Sequence, residues 1–341
     1  MSSATLHDNP TAIQAAGLRA QFASMVSTCG VFRLDDRGKL SLSGNDRVRW
    51  LNGMITNKVR DLPAGQGIYA FVLNPQGHIL GDLYAYNRGE SLLIETDRAQ
   101  IEKLLAIFRK YIIMDKVEIA DLGDKLAGNG IAGPKAREVL AHAGFALPEL
   151  AQLQFVDVTW QNVPVSVVRT DNSAVESYEI WSSPEEAARI FDAMTKSGAT
   201  PVSPAVVELF RIACGIPRYG QDIRERDLPQ ETEQLRALHF SKGCYIGQEI
   251  VERIRSRGNV HRKFSGFEVH GPLPAAGTKI QSDGKDIGEI TCAASLPLSS
   301  GEHAIALGYI RRELASSGQP LRAGEAQLTV AALPFVGVFP Q

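Results

Sequence analysis

The run Lys242-Gly243-Cys244-Tyr245-Ile246-Gly247-Gln248-Glu249 places a thiol two residues after an ammonium, with a glycine on either side. Ile246, Ile250 and Ile254 recur every four residues, which predicts a helix. Gly247 is a poor residue inside a helix, so the helix should begin near Gly247 or Gln248, with Cys244 just before it. A thiolate there would face the positive end of the helix dipole and the charge of Lys242. Both lower a thiol pKa, so this reading expects a partly ionised Cys244 near neutral pH. Gln248 and Glu249 are placed to cap the helix start or to hold the loop. The competing reading is a small buried residue in a tight turn, because free cysteine is among the most buried residue types.

Other charged groups are candidates for binding. Asp82 lies within Ile79-Leu80-Gly81-Asp82-Leu83, and a carboxylate in an apolar strand is costly unless paired or exposed. A solvent-facing position is the simpler expectation. Arg218, Asp222, Arg224, Glu225, Arg226 and Asp227 crowd into residues 216–240, a long irregular connection of the kind that often carries function. Arg253, Arg255, Arg257, His261, Arg262 and Lys263 follow, read either as a solvated face or as a cradle for carboxylates or phosphates. Gly128-Asn129-Gly130-Ile131-Ala132-Gly133 matches GxGxxG, but Gly123, Asp124 and Lys125 break the run before it and Pro134 starts the next helix. A dinucleotide fingerprint needs a buried strand leading directly into a helix, so this lone match argues only weakly for a nucleotide.

The elements that must position these groups follow from patterning. Residues 1–30 are polar and Ala-rich, with a short helix over about 10–25. Residues 31–42 alternate around Asp36-Arg37-Gly38-Lys39, a hairpin signal. Strands over 68–73 and 78–87 are joined by the turn Asn74-Pro75-Gln76-Gly77. Another strand over 91–95 leads to a helix capped by Thr96 or Asp97, with Ile101, Leu104, Leu105, Phe108 and Ile112 on its apolar face. Ser183-Pro184 and Ser203-Pro204 start further helices. From Phe264 onward short strands are separated by Gly271-Pro272, Asp283-Gly284 and Ser300-Gly301, which suggests a small β-barrel or sandwich. The chain divides into an N-terminal segment (1–30), an α+β region (31–260) and an all-strand tail (261–341).

A chain of 341 residues exceeds a single core, and 44% hydrophobic with 22% charged residues is ordinary globular composition. A net charge of −2 argues against a dedicated DNA-binding or basic membrane-surface protein. No apolar run reaches the length of a membrane span. Cys29, Cys214, Cys244 and Cys292 form no CxxC pair and the seven histidines are scattered, so no metal site is read from them. Sparse cysteine, and a start without a basic or apolar leader, lead to the expectation of a cytoplasmic protein.

Leu51-Asn52-Gly53-Met54-Ile55-Thr56-Asn57, Gly133-Pro134-Lys135-Ala136, Tyr219-Gly220-Gln221-Asp222-Ile223 and Gly288-Glu289-Ile290-Thr291 resemble the folate-binding superfamily of the glycine-cleavage T protein, an aminomethyltransferase. The resemblance spans residues 31–330. The K-G-C-Y-I-G-Q-E run is the signature of its YgfZ branch, which includes the mitochondrial iron–sulfur maturation homologue. The resemblance implies an α+β fold, a ring of three subdomains in which two α+β halves and a C-terminal β-barrel surround a hole for tetrahydrofolate. It makes the GxGxxG a strand-to-helix turn without a nucleotide role. It implies support of iron–sulfur cluster assembly or repair, with assembly factors or client enzymes as partners and no DNA or membrane. Alternatives are a true aminomethyltransferase, or a non-enzymatic partner protein docking through residues 218–227 with folate as a sensor.

Two departures accompany the resemblance. The catalytic enzymes carry paired aspartates where this chain has Gly81 and Asp82, and a pterin-binding glutamate where it has Val175, with Glu176 as the nearest substitute. The implied chemical residues are Cys244, Lys242 and Asp82. The implied folate contacts are Tyr69, Glu176, Arg211, Tyr245, Gln248, Glu249 and Arg253, the last, with Arg255 and Arg257, suiting a carboxylate tail.

Overall fold

The computed structural model describes residues 10–339, apart from 259 and 316–318. Gly67–Leu73, Ile79–Asn87, Leu92–Asp97, Arg37–Ser43 and Glu118–Asp121 form an antiparallel sheet in that order. Strand side chains alternate between faces. Leu40, Leu42, Ala70, Val72, Leu83, Ala85 and Ile94 therefore share one face, which buries Trp50 and Leu51 of helix Arg47–Met54 and Ile101, Leu104 and Phe108 of helix Ile101–Tyr111. The opposite face is left for Tyr69, Asp82, Tyr84 and Tyr86.

A second sheet runs in the order Thr200–Pro201, Gly30–Arg33, Ala127–Ala132, Ser177–Ser182, Val163–Arg169, Phe155–Trp160. Helices Ala136–His142 and Pro184–Lys196 cover one side through Val139, Leu140, Ile190 and Met194. Tyr86 and Leu93 of the first sheet meet Phe155, Val168 and Trp181 of the second, joining the two α+β halves.

The hairpin expected at residues 31–42 does not form. Gly30–Arg33 pairs with Ala127–Ala132 in the second sheet, whereas Arg37–Ser43 pairs with Leu92–Asp97 and Glu118–Asp121 in the first. Alternation reports which face is buried, not which strand lies alongside, and here charge and shape pull the two strands apart. Arg37 donates to Glu95 and Asp97 at 2.5 Å each, while Phe32 lies over Gly130, where a Cβ would come within 2.2 Å of its ring. That contact also accounts for the GxGxxG run. Gly128 and Gly130 sit inside a strand, Gly133 makes the following turn at φ +136°, and the helix starts only at Ala136.

Arg262–His270, Gly301–Arg311, Lys285–Leu298, Lys279–Ser282, Leu321–Ala323 and Ala326–Ala331 close into a six-stranded barrel in that order, filled by Phe267, Ile280, Ile290, Ile310 and Leu328. The N-terminal stretch is more than a polar leader. Helix Pro10–Ser27 sends Phe22 and Met25 into a core with Phe210 of helix Pro204–Ala213 and Leu307 and Tyr309 of the barrel. No described helix is long and apolar enough to cross a membrane.

Candidate functional site

A cavity of about 490 Å³ opens between the two sheets and helix Pro204–Ala213, with Phe32, Tyr69, Asp82, Tyr84, Arg211 and Tyr219 in its wall. Its size and its mix of aromatic faces with a few polar groups suit a small organic ligand. Asp82 and Tyr84 reach it because Leu83 and Ala85 point into the helix layer. Tyr69 stands opposite Tyr84 in the neighbouring strand. The Tyr69 hydroxyl donates to Asp82 Oδ2 at 2.7 Å, and Gln100 Nε2 donates to Oδ1 at 2.7 Å. Burial pushes the Asp82 carboxyl above its ordinary range, against the pull of the Gln100 and Tyr69 donors. Burial, with Asp82 alongside, pushes the Tyr69 phenol well up, so it remains a donor.

Every other acid in the cavity wall is answered by an arginine. Arg33 pairs with Asp35, and Arg37 with Asp97. Arg218 bridges Asp36, Asp97 and Glu208. Arg211 grips Glu208 through two bonds at 2.7 and 2.9 Å and reaches Asp222 at 2.8 Å. Burial works against the Arg211 charge, but Glu208 and Asp222 outweigh it and hold the guanidinium above its ordinary range. Arg236 pairs with Asp171 and lies 4.6 Å over the Tyr69 ring. Among the described residues, Asp82 is the one cavity carboxylate without a cationic partner, held by neutral donors alone. Such a group can accept from a ligand N–H or exchange a proton with it.

Asp222 ties the cavity to the barrel. It is fully buried, takes Arg211 on one oxygen, and accepts from Thr291 Oγ1 at 2.5 Å and Cys292 Sγ at 3.3 Å on the other. The charged connection of residues 216–240 thus supplies both wall and fastening.

The cysteine loop is built differently from its sequence reading. Lys242 is buried, and its Nζ donates to the carbonyls of Asn52, Ile55 and Asn57 at 2.7, 2.6 and 2.6 Å. These close the C-terminal end of helix Arg47–Met54, where orphan carbonyls attract a cation. The ammonium therefore serves the helix end rather than the thiol. Burial pushes it down to about 7, while the three carbonyls favour its protonated form. Cys244 is exposed, which excludes the buried-turn reading, and it does not line the cavity. Helix Gln248–Arg257 starts where the isoleucine spacing puts it, after Gly247 at φ +82°, where a Cβ would come within 2.6 Å of the Asn74 carbonyl oxygen.

The structure brings Tyr69, Asp82 and Arg211 together around the cavity and leaves the other expected site residues outside its wall. Tyr245 is buried behind the wall, packed with Tyr69, Phe71 and Ile79. Gln248 Oε1 accepts from the Tyr245 N–H at 3.3 Å and holds the loop. Glu249 is exposed in the first helical turn, as are Arg253 and Arg255 further along the same helix. The Arg257 side chain and residues 1–9 lie outside the described residues. Glu176 accepts from the Tyr178 hydroxyl at 2.6 Å, and Tyr178 belongs to the helix-covered core. Val175 packs on the core around Phe210, so neither position brings a carboxylate to the cavity. Sequence reasoning missed Gln100, Tyr84 and Arg236. Tyr84 was reachable from its two-residue spacing to Asp82, whereas Gln100 and Arg236 arrive from other elements with no local signal.

Residues 7–242 match the family described as the GCVT N-terminal domain, and residues 262–336 match the CAF17 C-terminal beta-barrel domain. The chain is 28% identical over 327 residues to an aminomethyltransferase of Rubrobacter xylanophilus, covering 95% of this chain and 87% of that protein. It is 26% identical over 312 residues to an aminomethyltransferase of Thermus thermophilus, covering 90% and 87%. The solved glycine cleavage system aminomethyltransferase T from Bartonella henselae shares its fold, with a TM-score of 0.84 over 94% of this chain and 90% of that one at 21% identity. The chain thus belongs to the GCVT family, with a C-terminal barrel of the CAF17 type.

Proposed function

We propose that the cavity binds tetrahydrofolate and that the protein supports iron–sulfur cluster assembly or repair. The observation that carries the folate half is Asp82, a carboxylate without a cationic partner between aromatic walls. A reduced pterin is a flat, largely apolar body with N–H donors on its edge. It suits Tyr69, Tyr84 and Phe32 as faces and Asp82 as acceptor. Supplied there, the cofactor carries one-carbon units on its nitrogens. The protein's part is to orient the ring, exclude water and accept a ring N–H, or its proton, at Asp82. The iron–sulfur half rests on the run at 242–249 and on the CAF17-type barrel. Cys244, exposed and outside the cavity, is available to a partner protein's surface rather than to the folate. Calorimetric titration with tetrahydrofolate tests the first half, and no binding would sink it. Complementation of an iron–sulfur-deficient strain tests the second, and full rescue by Cys244→Ala would remove the thiol from the account.

Aminomethyl transfer is the second reading. It is favoured by the retained Asp82 in the cavity and by aminomethyltransferase relatives that align over 90% or more of this chain. Turnover of an aminomethylated carrier protein that is lost in Asp82→Asn and kept in Cys244→Ala would select it.

A further inference from the structure

We infer that Gln100 is a positioning residue that fixes the Asp82 carboxylate in its cavity-facing, ionised form, in the space left by Gly81. Gln100 is buried, with 4% of its surface exposed, and it contacts Asp82 twice. Its Oε1 accepts from the Asp82 backbone N–H at 3.1 Å, and its Nε2 donates to Asp82 Oδ1 at 2.7 Å. The first bond determines the second. Because the amide oxygen is committed to a backbone donor, the NH₂ must face the carboxylate, and it stabilises the charged form. Gly81 makes room for this. A Cβ there would lie 2.9 Å from Gln100 Oε1 and 3.0 Å from Leu104 Cδ2. A side chain at position 81 would therefore enter the helix layer, not the cavity, and would displace the amide.

The groups around Asp82 define what else can move its titration. Tyr69 donates from the neighbouring strand, while Asp97 opposes and Arg37 favours its charge. Tyr84 on the same strand and Tyr219 on the charged connection also face it. None of them contacts Gln100 in place of Asp82, so a Gln100 variant changes one bonded partner of the carboxylate.

The test follows Asp82 directly and then a ligand. With ¹³C-carboxyl aspartate, Asp82 is assigned by its loss in Asp82→Asn, and its titration is followed in the ligand-free protein. Gln100→Leu should raise the Asp82 midpoint by about one pH unit, the cost of losing one charge-assisted donor. A midpoint within about 0.3 unit of wild type overturns the inference. Gln100→Glu separates positioning from packing. While the pair of carboxyls keeps one proton, the introduced acid donates to Asp82 as the amide does, and when that proton leaves, the two charges repel.

The ligand arm rests on the folate reading of the cavity and uses 5-formyltetrahydrofolate in calorimetric titrations. Gln100→Leu should bind about tenfold more weakly at low pH, with the loss shrinking as pH rises through its raised Asp82 midpoint. Gln100→Glu should match wild type near about pH 6 and weaken about tenfold toward about pH 9. Parallel, pH-independent losses in both variants would reduce Gln100 to packing and overturn the inference. If wild type does not bind the probe but the Asp82 midpoint still shifts in Gln100→Leu, the folate reading fails and the positioning role stands. Gly81→Ala gives a third route, with the midpoint rising as its Cβ dislodges the amide.

Discussion

The cavity wall at Asp82 and the loop at Cys244 both set a reactive group near a side chain able to tune it, yet the fold uses the two neighbours in opposite ways. At Asp82 the neighbours are neutral, and both aim at the carboxylate, through Tyr69 and Gln100 at 2.7 Å each. At Cys244 the neighbour in sequence is a cation, and it turns inward to three carbonyls of another element. Two residues of separation did not make Lys242 a partner of the thiol. Three unsatisfied acceptors at a helix end are a stronger sink for an ammonium than one exposed sulfur, because they are buried and water cannot replace the cation there.

The largest effect is expected at the fastening of the cavity to the barrel. Asp222→Ala leaves Arg211 short of a buried partner, takes the acceptor from Cys292 and leaves Thr291 only the Leu307 carbonyl. It should cost about 3–5 kcal/mol in urea unfolding. A loss under about 1 kcal/mol would mean that the apolar contacts and the Arg224 and Arg262 ion pairs hold the barrel without Asp222. Lys242→Met sharpens the contrast at the loop. It should destabilise the fold by about 2–4 kcal/mol by leaving the Asn52, Ile55 and Asn57 carbonyls without their donor. The rate of Cys244 alkylation by iodoacetamide in the folded variant should stay within about twofold of wild type. A marked slowing would restore the lysine as the thiol's activator.

Gly130→Ala acts on the cavity and spares the loop. Its Cβ would meet the Phe32 ring, a cavity wall, so a loss of about 1–3 kcal/mol and weaker folate binding should come with unchanged Cys244 reactivity. The smallest effect concerns Asp82 itself. Burial raises its folded-state pKa above the unfolded value. The stability this carboxyl contributes is therefore complete below the unfolded pKa and lost as pH rises through the folded one. Asp82→Asn should raise the urea midpoint slightly at neutral pH and leave it unchanged near about pH 4. A lower midpoint at neutral pH would show that the ionised carboxylate stabilises the fold.

Much of the fold was legible because it is local. Isoleucine spacing placed helix Gln248–Arg257, Asn74-Pro75-Gln76-Gly77 placed the turn before Ile79–Asn87, and turn residues separated most of the barrel strands, though Leu321–Ala323 was not anticipated. What failed was long-range. Residues 31–42 read as a hairpin because alternation carries no information on partners, while the pull of Glu95 and Asp97 on Arg37 comes from more than fifty residues away. For the site, Asp82 was visible as a carboxylate in an apolar strand, but the expectation that it faces solvent gave way to a cavity. Gln100 was invisible, since nothing in Arg98-Ala99-Gln100 shows that a 3₁₀ turn will aim its amide at another strand. Lys242 was misjudged because sequence proximity stood in for direction.

Calorimetric titration of Asp82→Asn and Cys244→Ala with tetrahydrofolate, side by side with wild type, tests most directly the claim that the ligand site is the cavity and not the loop. The account predicts binding at least about tenfold weaker for Asp82→Asn and within about twofold of wild type for Cys244→Ala. Equal weakening in both, or loss in Cys244→Ala alone, would contradict it.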